Sequence, residues 1–254
     1  MDLASIIGPI MSLGLILAGV IAKGAADLIP QFFNFSAILI VIGGTMGALM
    51  VAYPMGDYIA SLKAVKRYIG NPEANPQEIM AEVIDLAQIA RKESILALEK
   101  KMNDIKFGPL RMGIKLAVDG TDPNIIRDTL ETEAHHEFEE AEVAVKFWED
   151  FGAISPTIGI LGAVIGLMKV MTVLDQPEKI GPGIAVAFVA TLYGVGVANI
   201  MGIPMGKKLK RKAMLEGYAR EMVIIGIDGI LSGLNPKLIE EKLKIFAGGG
   251  AEES

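Results

Sequence analysis

A chain that moves ions or breaks bonds inside a membrane normally needs an acid, a base or a nucleophile there. Four apolar stretches of this 254-residue chain, at 3–22, 35–54, 151–174 and 183–206, contain no Asp, no Glu and one lysine, Lys169. Their other polar groups include Ser12, Ser36, Thr45, Ser155, Thr157, Thr172, Thr191, Tyr193 and Asn199. Hydroxyls and an amide can ligate a desolvated cation or bond a neighbour's carboxylate, but they do not replace an intramembrane acid. If the chain moves ions, a partner must bring that acid; alone it reads as a packing scaffold. Lys169 lies near the outer end of its stretch, where its stem can snorkel to the interface.

Outside these stretches the chemistry is equally sparse. His135 and His136 are adjacent, so on a helix they point ~100° apart and cannot chelate as an i, i+4 pair does. They read as a solvated helix face, with no metal. The acidic run Glu137, Glu139, Glu140, Glu142, Glu149 and Asp150 reads as a second solvated face. No GxSxG, HExxH or P-loop pattern occurs, and cysteine is absent, which excludes disulfides and thiolate metal sites. The net charge of −6 argues against a nucleic-acid partner. No cofactor is expected.

The elements that carry these groups follow from hydropathy. The chain is 52% hydrophobic and 21% charged, with a mean hydropathy of +0.45. Charge must therefore be segregated from the apolar runs, as in a polytopic membrane protein with a soluble portion. About 20 helical residues cross the ~30 Å hydrocarbon core, and only a helix satisfies its own backbone there. The expectation is an all-α fold with four transmembrane helices and a helical cytoplasmic domain. Residues 1–54 hold the first two spans with a short outer loop, 55–150 the cytoplasmic domain, 151–206 the second pair of spans, and 207–254 a cytoplasmic tail. The N-terminus lacks a positive n-region, which argues against a cleaved signal peptide. Pro9 is placed near the start of the first helix, where a missing N–H costs least. Gly43-xxx-Gly47, Gly162-xxx-Gly166 and Gly202-xxx-Gly206 predict faces of close helix approach.

Orientation follows from basic residues near the span ends. Lys63, Lys66 and Arg67 follow the second span, and Lys207, Lys208, Lys210, Arg211 and Lys212 follow the fourth. The long loop and both termini are therefore expected inside. Within the loop, Asn71-Pro72 and Asn75-Pro76 break the chain. Ile79, Val83, Leu86 and Ile89 then recur at helical spacing, continued by Ile95, Leu98 and Met102. Asp119-Gly120 signals a turn, and Asp122-Pro123 an N-cap opening a long charged helix towards the third span. In the tail, Met222, Ile225 and Ile230 suggest a helix, Asn235-Pro236 begins another over 236–246, and GGGAEES is expected to be disordered.

Five strings on this topology resemble the MotA/PomA subunits of the bacterial flagellar stator: SAILIVIGG at 36–44, ARKESILALE at 90–99, LAVDGTDP at 116–123, SPTIGILGAVIGLM at 155–168 and GPGIAVAFVATLYG at 181–194. The resemblance covers essentially the whole chain. It implies a ring of five around a dimer of a MotB/PomB-type partner in the inner membrane. That partner supplies one helix with an ion-binding aspartate, and ion flow drives the ring against the rotor protein FliG.

On the same resemblance, Arg91 and Glu99 match charges used against FliG, and Lys92 matches a basic position of the PomA type. Pro156 matches a proline implicated in coupling, and Thr191 a threonine facing the partner's aspartate; Tyr193 is a neighbouring polar aromatic. Two positions depart from the pattern. Ala163 stands where sodium-driven members carry a threonine seven residues after the proline. Losing that oxygen ligand leans towards protons, with sodium left open by Thr191. Ala153 stands where an acid often precedes the proline. The alternatives are an ExbB/TolQ-like energiser of outer-membrane processes, whose chains have one span before the main cytoplasmic region, and an intramembrane enzyme or solute transporter, for which no nucleophile–base pair is visible.

Overall fold

The structure is a computed structural model and describes residues 2–70 and 75–247. The Asn71-Pro72 break and the GGGAEES tail lie outside the described residues. Helices follow in the order α1 (Ala4–Ala22), α2 (Phe35–Ala52), α3 (Met55–Lys63), α4 (Val65–Ile69), α5 (Pro76–Lys92), α6 (Gly108–Val118), α7 (Pro123–Met171), α8 (Pro177–Leu231) and α9 (Pro236–Ala247). Two 3-10 turns, Ala26–Phe32 and Ile95–Lys101, interrupt them. No strand occurs among the described residues. The all-α expectation holds, and α1, α2, α7 and α8 are each long and apolar enough to cross a membrane.

Local chemistry sets the helix starts. Asn34, Asn75, Asp122 and Asn235 each accept a backbone N–H of the first turn through a side-chain oxygen. Such caps satisfy donors that no helical carbonyl reaches. Gly120 adopts φ +74°, the left-handed conformation that closes α6 before Asp122 opens α7. Pro9 is a correction. Because α1 begins at Ala4, Pro9 lies beyond the first turn, inside the helix, where it removes an intrahelical donor.

The chain divides into two compact units, 1–71 with 142–210 and 72–141 with 211–254. The first contains the spans. Its core is a packed contact of α7 on α8, made through backbone. Gly152 meets Gly202, Gly159 meets Gly194, and Gly166 meets Ala187, each so closely that an added Cβ would come within 3.1 Å of the opposite helix. Gly162 packs on Ala190 and on Ile40 of α2, and Gly206 on the backbone at Val145 and Glu149. Without a hydrophobic force between helices in lipid, such small-residue contact is what holds spans together.

The seam has a defined period. On α7 its glycines recur every seven residues, while on α8 the steps from Ala187 to Gly194 and from Gly194 to Gly202 are seven and eight. The extra residue falls in a π-type turn over Ala198–Gly202. That turn absorbs one residue and returns Gly202 to the seam. A second π-type turn, Leu39–Gly43, lies in α2 and accompanies a second correction. Gly43 and Gly47 meet no other element among the described residues; Gly44 instead meets Ile158. Within this chain the inward-facing glycine is therefore Gly44, one residue off the expected stripe.

At one end of this unit the aromatic residues gather. Tyr58, Tyr68, Phe147, Trp148 and Phe151 pack with Leu49, Val145, Met205 and Leu209. Phe147 lies edge-on to Tyr53, Tyr58 and Trp148 at 5.3 to 5.5 Å. Trp148 Nε1 donates to the Ser61 carbonyl, and the Tyr53 hydroxyl to Asp150. The start of α1 is fastened to this cluster: Ser5 Oγ donates to the Tyr68 carbonyl, and Asp2 pairs with Lys208 at 2.5 Å.

The second unit is built differently. Ile79, Val83, Leu86, Leu98, Ile105, Leu110, Ile114, Met222, Ile227, Ile239 and Leu243 form one apolar core, and α9 packs along α5.

Candidate functional site

Two groups of residues concern function, and each lies within one unit. The first lies along α7 and α8 in the spans. Gly162 touches Ala190, so Ala163 and Thr191, one step beyond each, lie within about 3 Å of each other in depth. Gly194 sits on the Ser155 carbonyl and the Pro156 Cα, which places Pro156 in the same seam. Pro156 is inside α7, so the Gly152 carbonyl loses its usual donor there. Helix α7 nonetheless continues through Pro156 to Met171; the proline is an interior position rather than a helix start.

Thr191 is half-buried, and its hydroxyl makes no hydrogen bond among the described residues. Thr45, Thr129 and Thr157 donate back to their own helix, to Val41, Ile125 and Ile154, and Thr172, just past the end of α7, donates to Lys169; exposed Thr132 shares with Thr191 the lack of such a bond. Unlike Thr132, Thr191 is half-buried, and its hydroxyl donor and acceptor are both unused among the described residues. Tyr193 is engaged: its hydroxyl donates to the Phe32 carbonyl, tying α8 to the 3-10 turn before α2. Ala163 is half-buried and offers no oxygen beyond its backbone. The faces of α7 turned away from the seam, including Ile160, Val164 and Leu167, are exposed.

One polar group here was named in the sequence without a role. Ser155 is buried, and its Oγ has no partner. An unpaired buried hydroxyl is costly, and this one immediately precedes Pro156 in the chain. The Ser-Pro pair was visible in the sequence, but its burial depended on the glycine seam.

The second group lies in the other unit. Arg91 and Lys92 end α5, and Glu99 lies in the 3-10 turn Ile95–Lys101; all three are exposed and form no ion pair among the described residues. A single continuous helix would set Arg91 and Glu99 two turns apart on one face. The structure corrects this. Helix α5 stops at Lys92; Glu93 caps it still in the right-handed helical region, and Ser94 is extended. The break lets Leu98 turn fully into the apolar core, while Glu99 beside it faces outward.

His135 and His136 each face an acid one turn on, Glu139 and Glu140, and no metal-ligand cluster exists among the described residues. The acidic run is not uniformly solvated. Glu137, with Glu133, flanks Arg220, and Asp150 accepts from Tyr53. Lys169 is exposed in the last turn of α7, where a cation also suits the helix C-terminus.

Comparison with known proteins completes the picture. The model of the MotA/TolQ/ExbB proton channel family matches residues 98–222. The chain is 36% identical to motility protein A of Bacillus subtilis over 97% of its own length and 91% of that protein. Among solved structures, the C. jejuni MotAB structure superposes with a TM-score of 0.90 at 32% identity, covering 97% of this chain and 96% of that one. The flagellar MotAB stator complex of Bacillus subtilis does so with a TM-score of 0.87 at 32% identity, covering 98% and 100%.

Proposed function

The chain belongs to the MotA/TolQ/ExbB proton channel family, in its motility protein A/PomA branch, and we propose that it works as one wall of a two-component ion channel. It is a flagellar stator subunit. Its partner is a MotB/PomB-type subunit, whose membrane helix brings the aspartate that this chain lacks. The assembly is a homo-oligomeric ring of five in the bacterial inner membrane, with both termini and the 55–150 region inside. Ion flow past Thr191 and Ala163 moves the ring, and Arg91, Lys92 and Glu99 pass that motion to FliG.

The observation that carries this reading is the pairing of an absence with a vacancy of bonding. No acid exists in the four spans, while Thr191 keeps an uncommitted hydroxyl at the depth of Ala163. A carboxylate arriving from another chain would find a hydrogen-bond partner there. Pro156 one turn away in the same seam gives α7 a point of reduced backbone bonding, suited to a bend that accompanies ion passage. Ala163 supplies no ligating oxygen, which supports protons over sodium as the coupling ion. We assign the chain no catalytic reaction. An ExbB/TolQ-like role is less supported, because two spans precede the main polar region here.

The test is ion flux in proteoliposomes. The chain alone should conduct nothing. Co-reconstitution with a partner carrying a membrane aspartate should give flux that vanishes when that aspartate becomes Asn. Flux from the chain alone would overturn the proposal. The rotor assignment is tested separately: Arg91→Glu with Glu99→Arg should stop swimming while membrane assembly and flux persist. Each exposed contact is worth only ~0–1 kcal/mol, so folding should be untouched.

A further inference from the structure

We propose that the outward face of α3 and α4 is an anionic-phospholipid contact, with Lys63 and Lys66 as its headgroup-binding cations. The inference rests on the orientation given above, in which this end of the spans faces the cell interior.

Depth comes first. Helix α2 ends at Ala52, and α3 begins at Met55 after the extended pair Tyr53-Pro54. Three residues reach at most ~10 Å, so α3 starts within or beside the headgroup layer, whatever its later course. The facing of α3 is then fixed by what it buries. Tyr58 and Ser61 point into the aromatic cluster, and the Ser61 carbonyl accepts from Trp148. In α4, Tyr68 is buried in the same cluster, and its carbonyl accepts from Ser5. These bonds leave the opposite face no freedom to turn inward.

That opposite face is amphipathic in a particular way. At 100° per residue, Met55, Gly56, Ile59, Ala60 and Lys63 cover one continuous arc, and all five are exposed. Met55 is 54% and Ile59 43% exposed, too much apolar surface for water at headgroup depth. Lys63 follows them, and Lys66 is the exposed residue of α4. The single acid of the two helices, Asp57, lies outside this arc. Lys63 and Lys66 form no ion pair among the described residues, whereas Lys208, at the same cluster, is held by Asp2. An apolar pair followed by two unneutralised lysines, at the membrane surface, fits an acyl boundary beneath a negative headgroup.

The chain carries its own reporter. Trp148 is its single tryptophan and donates to the Ser61 carbonyl beneath this face. The full chain is reconstituted in vesicles of phosphatidylcholine with a minor share of brominated phosphatidylglycerol, or with the same share of brominated phosphatidylcholine, and quenching of Trp148 is compared. Brominated phosphatidylglycerol should quench at several-fold lower mole fraction, and added salt should shrink the difference. Two surface lysines correspond to a preference of up to about 25-fold at low salt. Lys63→Gln with Lys66→Gln should abolish it, with the Trp148 emission maximum unchanged as the check on folding, and Lys63→Arg with Lys66→Arg should keep it. Equal quenching by both lipids, or a preference that survives the double Gln change, overturns the proposal. Protection from both lipids also overturns it and would mean that a second copy of the chain covers this face. Ion flux is not read in this experiment, so the lipid proposal and the channel proposal fail separately.

Discussion

The two units of this chain solve the problem of cohesion in opposite ways. The unit of α5, α6 and α9 fills its core with large side chains, Leu86, Leu98, Ile105, Leu110, Ile114 and Ile227 among them, all essentially without solvent contact. The span-containing unit joins α7 to α8 by leaving side chains out, with Gly152, Gly159 and Gly166 set against Gly202, Gly194 and Ala187. Water explains the first and its absence the second. Burying a leucine from water stabilises by about 1.5–3 kcal/mol, whereas burying it from lipid gains little. Between helices surrounded by hydrocarbon, only close van der Waals approach and backbone proximity distinguish the right neighbour from the solvent. The teaching is that volume has opposite sign in the two places. One unit fails when a side chain is removed, the other when one is added.

The largest expected effect tests the first half of that contrast. Leu98→Ala should cost about 2–5 kcal/mol, because Leu98 is fully buried and its removal leaves a cavity. Thermal unfolding of the purified chain should show a lower first transition. Swimming should suffer as well, since Glu99 is held outward by the same turn. A loss below about 1 kcal/mol would mean that the core collapses freely, and the contrast would blur.

The second half is tested by addition. Gly194→Ala places a methyl 2.6 Å from the Ser155 carbonyl and 3.1 Å from the Pro156 Cα, both backbone atoms. Overpacking of this kind costs about 1–3 kcal/mol, and here no flexible side-chain tip can yield. Ion flux with the partner should fall sharply. Gly47→Ala, whose added methyl meets nothing within 4 Å, should leave expression and flux with the partner unchanged. Equal behaviour of the two substitutions would break the contrast.

The smallest effect refines the polar edge of the water-facing unit. Burial holds the Glu82 carboxyl above its ordinary pKa of 4.5, and the charges of Lys106 and Arg111 oppose that shift without cancelling it. A raised folded-state pKa means the folded chain binds this proton more tightly than the unfolded one. The resulting stability is present below 4.5 and is lost as pH rises through the folded-state value. Glu82→Gln should therefore flatten the pH dependence of the melting temperature slightly and leave the variant relatively more stable near neutrality. A steeper dependence would reverse the assignment.

Much of this was legible before any coordinates. Four long apolar runs can only be helices in lipid, and Asp122 and Asn235 announced the helices they cap. The seam was visible in part: Gly162, Gly166, Gly202 and Gly206 do make close contacts. What sequence could not give was which way each face turns. Gly43 and Gly47 have the right spacing yet meet no other element among the described residues, and the π-type turn at Leu39–Gly43 leaves no mark in composition. The stop at Lys92 was equally silent. Glu93 and Ser94 carry neither glycine nor proline, and the helix ends there because the core claims Leu98. The Thr191 hydroxyl could be named from the family resemblance, but its freedom from the helix backbone is a matter of rotamer, which spacing does not report.

The single inserted residue of Ala198–Gly202 makes α8 behave like two rulers glued end to end with their markings offset. Drawn out straight, this sequence could match α7 at Ala187 and Gly194, or at Gly202, and never along the whole length. The fourth span is thereby divided into segments that need not be phased together, and the place where one hands over to the other lies in the stretch between Thr191 and the charged tail.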